Sequence, residues 1–289
     1  MDIKYTAEHF PDLITPINQT QGNSKTSAHT IPIKNDFATI PVSAVIITFN
    51  EEQNINETLS KLWWCDEIII VDSGSKDKTV EICEQYGCSV YFRAFNGFGE
   101  QKNFGVSKAK NDWILCIDAD EVLTDELVDE IRTELSKNTI SFSGFSVPRN
   151  LVFMNKVFKY GKEADSSIIR LFNKTKGCWD GAVVHERVCL DGPVKQLTNK
   201  ILHYSYKDYS QFLDKINLYS TLGAEKLYSS KSNKNKLIIT LGLPFNFFKY
   251  YLIDRNFMNG YRGFAWAVLN SVYHFLKYLK LRELRDKRG

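Results

Sequence analysis

The chain has 289 residues, of which 43% are hydrophobic and 25% charged, proportions of an ordinary folded protein that exclude general disorder. Such a length holds one large α/β domain with an appendage, or two small domains. The net charge of +3 conceals an asymmetry: from Lys234 to Gly289 eleven Lys or Arg stand against three acids, leaving 26 basic residues against 31 acids elsewhere. Six cysteines without a C-x-x-C pair, most of them in apolar runs, read as reduced, packed thiols. No basic region followed by an apolar core opens the chain, so no signal peptide and a cytoplasmic protein are expected.

Residues 1–40 are polar and lack a sustained period, as in an extension or linker. Residues 42–48 then form an apolar strand that runs into Phe49-Asn50-Glu51-Glu52, and Ile55, Leu59 and Leu62 carry the spacing of a helix. A second strand, 67–72, ends on Asp72; Ser73-Gly74-Ser75 turns the chain into a helix from Asp77 to Tyr86 that Gly87 can cap. Residues 90–92 make a third strand, followed by a glycine loop, Asn96 to Gly99, and a helix carrying Gln101, Lys102 and Asn103. The fourth strand, in the run from Asp112 to Glu121, is uncharged until it meets Asp118, Asp120 and Glu121. Strand and helix alternate four times in eighty residues, which predicts a parallel, doubly wound sheet with right-handed crossovers. Asn50, Asp72 and Asp118 then share its carboxyl edge, where such sheets bind ligands.

Two carboxylates one residue apart, Asp118 and Asp120, suit Mg2+ or Mn2+, which take one or two carboxylates plus substrate phosphates. An acidic strand-to-helix turn is the alternative, since Thr124, Asp125 and Glu126 favour a helix start. Convergence favours a functional cleft: Glu51, Asp72, Asp118 and Asp120 repel one another unless a cation or basic residues such as Lys102 and Arg170 sit among them.

The elements Thr48-Phe-Asn-Glu51, Val71-Asp-Ser-Gly-Ser75, the glycine loop before Gln101-Lys-Asn103, and Asp118-Ala-Asp120 together resemble glycosyltransferase family 2. The nearest likeness is its lipopolysaccharide core branch of β-glucosyltransferases, and Arg170-Leu-Phe172, Val184-His-Glu186 and Leu202-His-Tyr-Ser205 extend it beyond the sheet. The resemblance implies a GT-A (Rossmann-like) fold, a mostly parallel sheet flanked by helices, and transfer with inversion from a UDP-sugar. It implies that Glu51 and Asp72 contact ribose and uracil, Asp118 the ribose side and Asp120 the metal, with Thr48, Asn50, Lys102 and Arg170 also around the donor. The chain departs from the family at Ser166, where many relatives are basic, and in its longer N-terminal extension.

Inversion in one displacement needs a base for the acceptor hydroxyl. Glu186 is the first candidate, with a salt bridge to Arg187 or a core arginine as its structural alternative, and Asp165 is the rival base. His185 and His203 are candidate metal ligands, His203 equally a packed core histidine. Arg170, between apolar neighbours, either crosses a sheet face to solvent or clamps phosphate.

The expected domains are 1–40, a catalytic domain over 41–232 with a nucleotide half to 122 and an acceptor half from 123, and a basic, aromatic helical segment over 233–289. Tyr209, Phe212, Ile216 and Tyr219 make a helical stripe expected to pack on the catalytic sheet. The longest uncharged run beyond it, Gly263 to Leu276, is too short and polar to span a bilayer. With its basic end, Lys277 to Arg288, the segment suits a membrane-associating helical appendage at the inner face of the inner membrane; a core helix with a solvated end is the alternative. Nucleic acid is not an expected partner, because the basic residues follow a hydrophobic helix instead of flanking a stacking platform. The expected partners are thus a nucleotide-sugar donor, a lipid-anchored saccharide acceptor and a membrane surface. Transfer to a polyprenyl phosphate or another envelope glycan, or non-catalytic nucleotide or glycan binding, are the alternative functions.

Overall fold

A computed structural model describes residues 39–164, 166–180, 186–206, 208–230 and 236–288. Four strands, β1 (Ile40–Thr48), β2 (Cys65–Asp72), β3 (Ser89–Phe92) and β4 (Trp113–Asp118), alternate with helices α1 (Ile55–Ser60), α2 (Thr79–Gln85) and α3 (Phe98–Lys108). All adjacent pairs among these strands are parallel, in the order β3-β2-β1-β4. Register aligns Thr48 with Asp72 and Ile47 with Asp118, so the predicted edge residues end their strands at one level. The strand interiors Val42, Ala44, Ile46, Ile70, Leu115 and Ile117 are buried with Ile55 and Leu59 of α1, Leu62 just after it and Cys83 of α2, as near-continuous apolar runs require.

After β4 come the three-residue β5 (Glu121–Leu123) and α4 (Asp125–Leu135), whose N-cap Thr124 accepts a hydrogen bond from the Leu127 amide. The remaining strands are β6 (Gly144–Phe153), β7 (Lys156–Val157), β8 (Ser166–Asn173), β9 (Gly177–Trp179), β10 (Val188–Leu190), β11 (Val194–Gln196) and β12 (Ile201–Tyr206). The large sheet continues past β4 as β8-β6-β12-β5, with β8 antiparallel to β4, while β9 and β10 form a separate antiparallel ribbon. That ribbon sets Cys178 opposite Cys189, both exposed, so these two are not the packed thiols expected from the sequence.

The chain forms two compact units, one of residues up to Pro148 with Ser167–Ile201, the other of Arg149–Ser166 with Leu202–Gly289. These boundaries fall at other places than 122 and 232, where composition suggested them. The second unit holds α5 (Tyr209–Ser229), α6 (Lys236–Phe248) and α7 (Tyr261–Arg288). Its own core gathers Leu151, Phe153, Phe158, Phe212, Ile216 and Trp266, with Phe153 edge-on to Phe158, Phe212 and Trp266. Half of the predicted α5 stripe is thereby buried, whereas Tyr209 and Tyr219 are exposed. Among the described residues no helix is long and apolar enough to cross a membrane.

Candidate active site

Asp72 ends β2 nearly sealed from solvent, and the chain itself saturates it. Its Oδ2 accepts from the amides of Gly74 (2.7 Å) and Ser75 (2.8 Å), while Oδ1 accepts from the hydroxyls of Ser75 and Thr48 (3.1 Å). Gly74, at φ +102°, makes the turn that aims both amides at the carboxylate. Asn50, left-handed at φ 55°, binds the same loop: its Oδ1 accepts from the Lys76 amide at 2.8 Å and its own amide donates to Ser75 Oγ. The Glu51 carboxylate accepts from Asn54 at the head of α1. Thr48, Asn50, Glu51 and Asp72 thus sit together at the carboxyl ends of β1 and β2, where the sequence placed them.

At the end of β4 the acids meet two buried cations. Lys102, on α3, lies 3.0 Å from Asp118 Oδ1 and 2.7 Å from Glu186 Oε1. Arg170, on β8, donates to Asp118 Oδ2 (2.5 Å) and to Glu121 Oε1 (2.6 Å), and Glu121 Oε2 accepts from the Asp118 amide. Arg170 is 4% exposed and Glu121 fully buried, so this arginine neither crosses to solvent nor meets only a ligand. Burial by itself depresses both cations, but Asp118, joined by Glu121 at Arg170, outweighs it and holds both pKa values above their usual range. Trp179 covers the cluster, its ring 4.4 Å from Lys102 Nζ. Its backbone amide and carbonyl are clamped by the Asn103 side chain, both bonds 3.0 Å. Gln101, fully buried one residue before Lys102, donates to Ser73 Oγ and to the Arg93 carbonyl and so ties α3 to the Asp72 loop.

Glu186 therefore pairs with Lys102, not Arg187. Asp120, half-buried in the turn after β4, adjoins the cluster. His203 lies on β12 in the second unit, with Ser205 Oγ 2.9 Å from its Nδ1. Asp165 and His185 fall outside the described residues. Trp179 was not anticipated, since a single Trp on a short strand carries no spacing signal; Glu121, met with Asp118 and Asp120 at the strand end, is fully buried.

A parallel sheet in this order, with a polar cluster at the carboxyl end of its central strands, defines the α/β proteins that bind a ligand at the topological switch point. Comparison supplies the family: the model described as "Glycosyl transferase family 2" matches residues 43–187. The chain belongs to glycosyltransferase family 2; it is a glycosyltransferase with the GT-A arrangement of a mostly parallel sheet flanked by helices. Among its relatives, an uncharacterized glycosyltransferase of Rickettsia bellii is 32% identical over 86% of this chain and 88% of its own. The lipopolysaccharide core biosynthesis glycosyltransferase LpsC of Rhizobium meliloti is 31% identical over 84% of this chain and 92% of its own. Among solved structures, S. aureus TarS 1-349 in complex with UDP is 14% identical, with a TM-score of 0.44, over 84% of this chain and 88% of that one.

Proposed function

We propose that the protein moves a hexose, glucose first among the candidates, from a UDP-sugar to a lipid-anchored acceptor in the inner core of lipopolysaccharide, with inversion. The family and the likeness to LpsC over nearly its whole length support the reaction class and the acceptor. The observation that carries the reading is the buried cluster of Lys102 and Arg170 with Asp118, Glu121 and Glu186 under Trp179.

Departure of UDP leaves negative charge on a diphosphate, and because Lys102 and Arg170 are already paired with three carboxylates, a divalent ion would be the main group to stabilise that charge. Lys102 and Arg170 are rigid because acids hold them on several sides, and the same contacts orient Asp118. Glu186, 15% exposed at its side chain and held 2.7 Å from Lys102 Nζ, would serve as the base that takes the acceptor hydroxyl's proton. Thr48, Asn50, Glu51 and Asp72 shape the loop that would receive the nucleoside, with Asp72 bracing it through bonds accepted from two backbone amides and two hydroxyls.

The donor set suits a divalent ion completed by substrate oxygens, not one caged by protein. Among the described residues no three His, Cys, Asp or Glu side chains converge on one point, and Asp118 already accepts from both cations. Magnesium and manganese need only one or two carboxylates when phosphates complete the shell. Asp120, with Asp118 beside it, would hold the ion, which when bound would neutralise the leaving diphosphate.

UDP release by the purified protein, measured over a panel of nucleotide sugars with and without Mg2+ or Mn2+, tests the proposal. Metal-dependent release from one UDP-sugar, reduced at least about a hundredfold by Asp120→Ala, is expected. Absence of both release and calorimetric binding for every UDP-sugar would overturn it.

A further inference from the structure

The second unit carries a surface turned inside out. Along α6 and the turn that follows, Leu241, Phe245, Phe248 and Leu252 recur at spacings of four, three and four, and all are exposed. The turn to α7 continues the face with Ile253, Phe257, Met258 and Tyr261, of which Ile253 is 72% and Tyr261 75% exposed. The asparagines and the aspartate of the same turn are buried instead: Asn256 fully, Asn259 at 2% and Asp254 at 9% exposure. A soluble loop does the reverse, and contiguous exposed apolar surface of this kind marks a contact surface.

The tip is fixed, which distinguishes it from a loosely collapsed loop. Asn259 donates to the Tyr160 carbonyl and accepts from the Lys159 amide, and Asn256 donates to the Tyr250 carbonyl. Arg255 and Gly260 are both left-handed and close the short helical turn between them. A Cβ on Gly263 would come within 1.8 Å of the Asn256 carbonyl oxygen, so only glycine lets α7 start this close. The side chains that face outward do so because the buried amides hold the backbone there.

We infer that this tip, from Leu241 to Phe264, docks on the surface of an anionic lipid bilayer. Charge complementarity selects that occupant. The exposed charged side chains of the stretch are Arg255 and Arg262, Lys249 is half-buried, and its one acid, Asp254, is buried. Aromatic and aliphatic side chains accompanied by Arg255, Arg262 and Lys249, with no exposed acid, match an acyl boundary beneath anionic headgroups. A second copy would bring the same arginines face to face across a two-fold axis. The docking surface is therefore the tip and not the basic end of α7, where Lys280 is engaged by Asn217, Ser220 and Thr221, and Lys287 by Glu283. The inference rests on the proposed lipid-anchored acceptor for its purpose, yet its test involves no sugar nucleotide, so either can fail alone.

Co-sedimentation of the full chain with phosphatidylcholine vesicles, with and without 30% phosphatidylglycerol, provides the test. Binding to the anionic vesicles is expected to fall about tenfold or more in Ile253→Ser/Phe257→Ser, and several-fold in Arg255→Glu or on raising salt. Leu213→Ser/Tyr219→Ser, which removes exposed apolar groups on α5, is expected to bind as wild type does. Circular dichroism melts unchanged by the tip substitutions would show that the fold is kept. Equal binding of wild type and tip variant, no binding to either vesicle, or a dimer in sedimentation velocity that the tip variant dissolves without any lipid binding would each overturn the inference.

Discussion

Arg170 shows how one side chain organises a site. Its guanidinium joins Asp118, partly open to solvent, to Glu121, which has no exposure at all. Two acids this close to each other and to Glu186 are tolerable only with cations between them, and removing one partner of a buried pair costs more than the pair gained by forming. Arg170→Met should therefore lower stability by about 3–5 kcal/mol, read as a lower urea midpoint, and loosen Asp118. An unchanged midpoint would mean that water or Lys102 compensates. The sequence marked Asp118 at the end of an apolar strand, Arg170 between apolar neighbours and Lys102 as a cation offered to the acids by the helix after the glycine loop. Which acid each cation meets was not legible, because β8 and α3 come from distant parts of the chain and only the antiparallel pairing of β8 with β4 brings Arg170 under Asp118.

At the scale of elements, α3 is the piece whose placement matters most, since it delivers Gln101, Lys102 and Asn103 together. Gly105, one turn further on, allows its close seat on the sheet: a Cβ there would lie 2.4 Å from Val45 Cγ1 and 3.0 Å from Val71 Cγ2. Both neighbours are branched core side chains without room to turn. Gly105→Ala gains about 1 kcal/mol of helix propensity but overpacks at about 1–3 kcal/mol. A net loss of stability is expected in thermal melts, with turnover falling further as α3 lifts Lys102 from Asp118. The strands and helices of the nucleotide half were readable almost residue by residue, because apolar runs closed by acids and glycines are local signals. The C-terminal elements were less so: α6 passes into a π turn over Lys249–Ile253 and a 3-10 turn over Asn256–Asn259, neither of which has a periodic signature.

At the scale of the whole molecule, pH bears on the second unit through His274. Burial, aided by Lys277 and Lys249, pushes its pKa down to about 4 from 6.5, and the Tyr250 hydroxyl lies 2.8 Å from Nε2, with Tyr273 packed edge-on. The folded state then binds fewer protons than the unfolded chain between those values. Stability from this group is complete above the unfolded pKa and is lost as pH falls from about 6.5 towards 4. The melting temperature should drop across that window, and His274→Gln should flatten the drop; an equal slope in the variant would exclude His274 as its source.

What the sequence determined by itself was the alternating parallel sheet, the family, and the acids at the strand ends, since each rests on patterns a few residues long. Only the tertiary structure decided how those acids are neutralised, that Trp179 lies over Lys102, and that the apolar side chains of the α6–α7 turn face out while its asparagines face in. Partner choice among buried charges and the direction a turn presents its side chains depend on contacts between segments far apart in the chain, and local pattern carries no record of them.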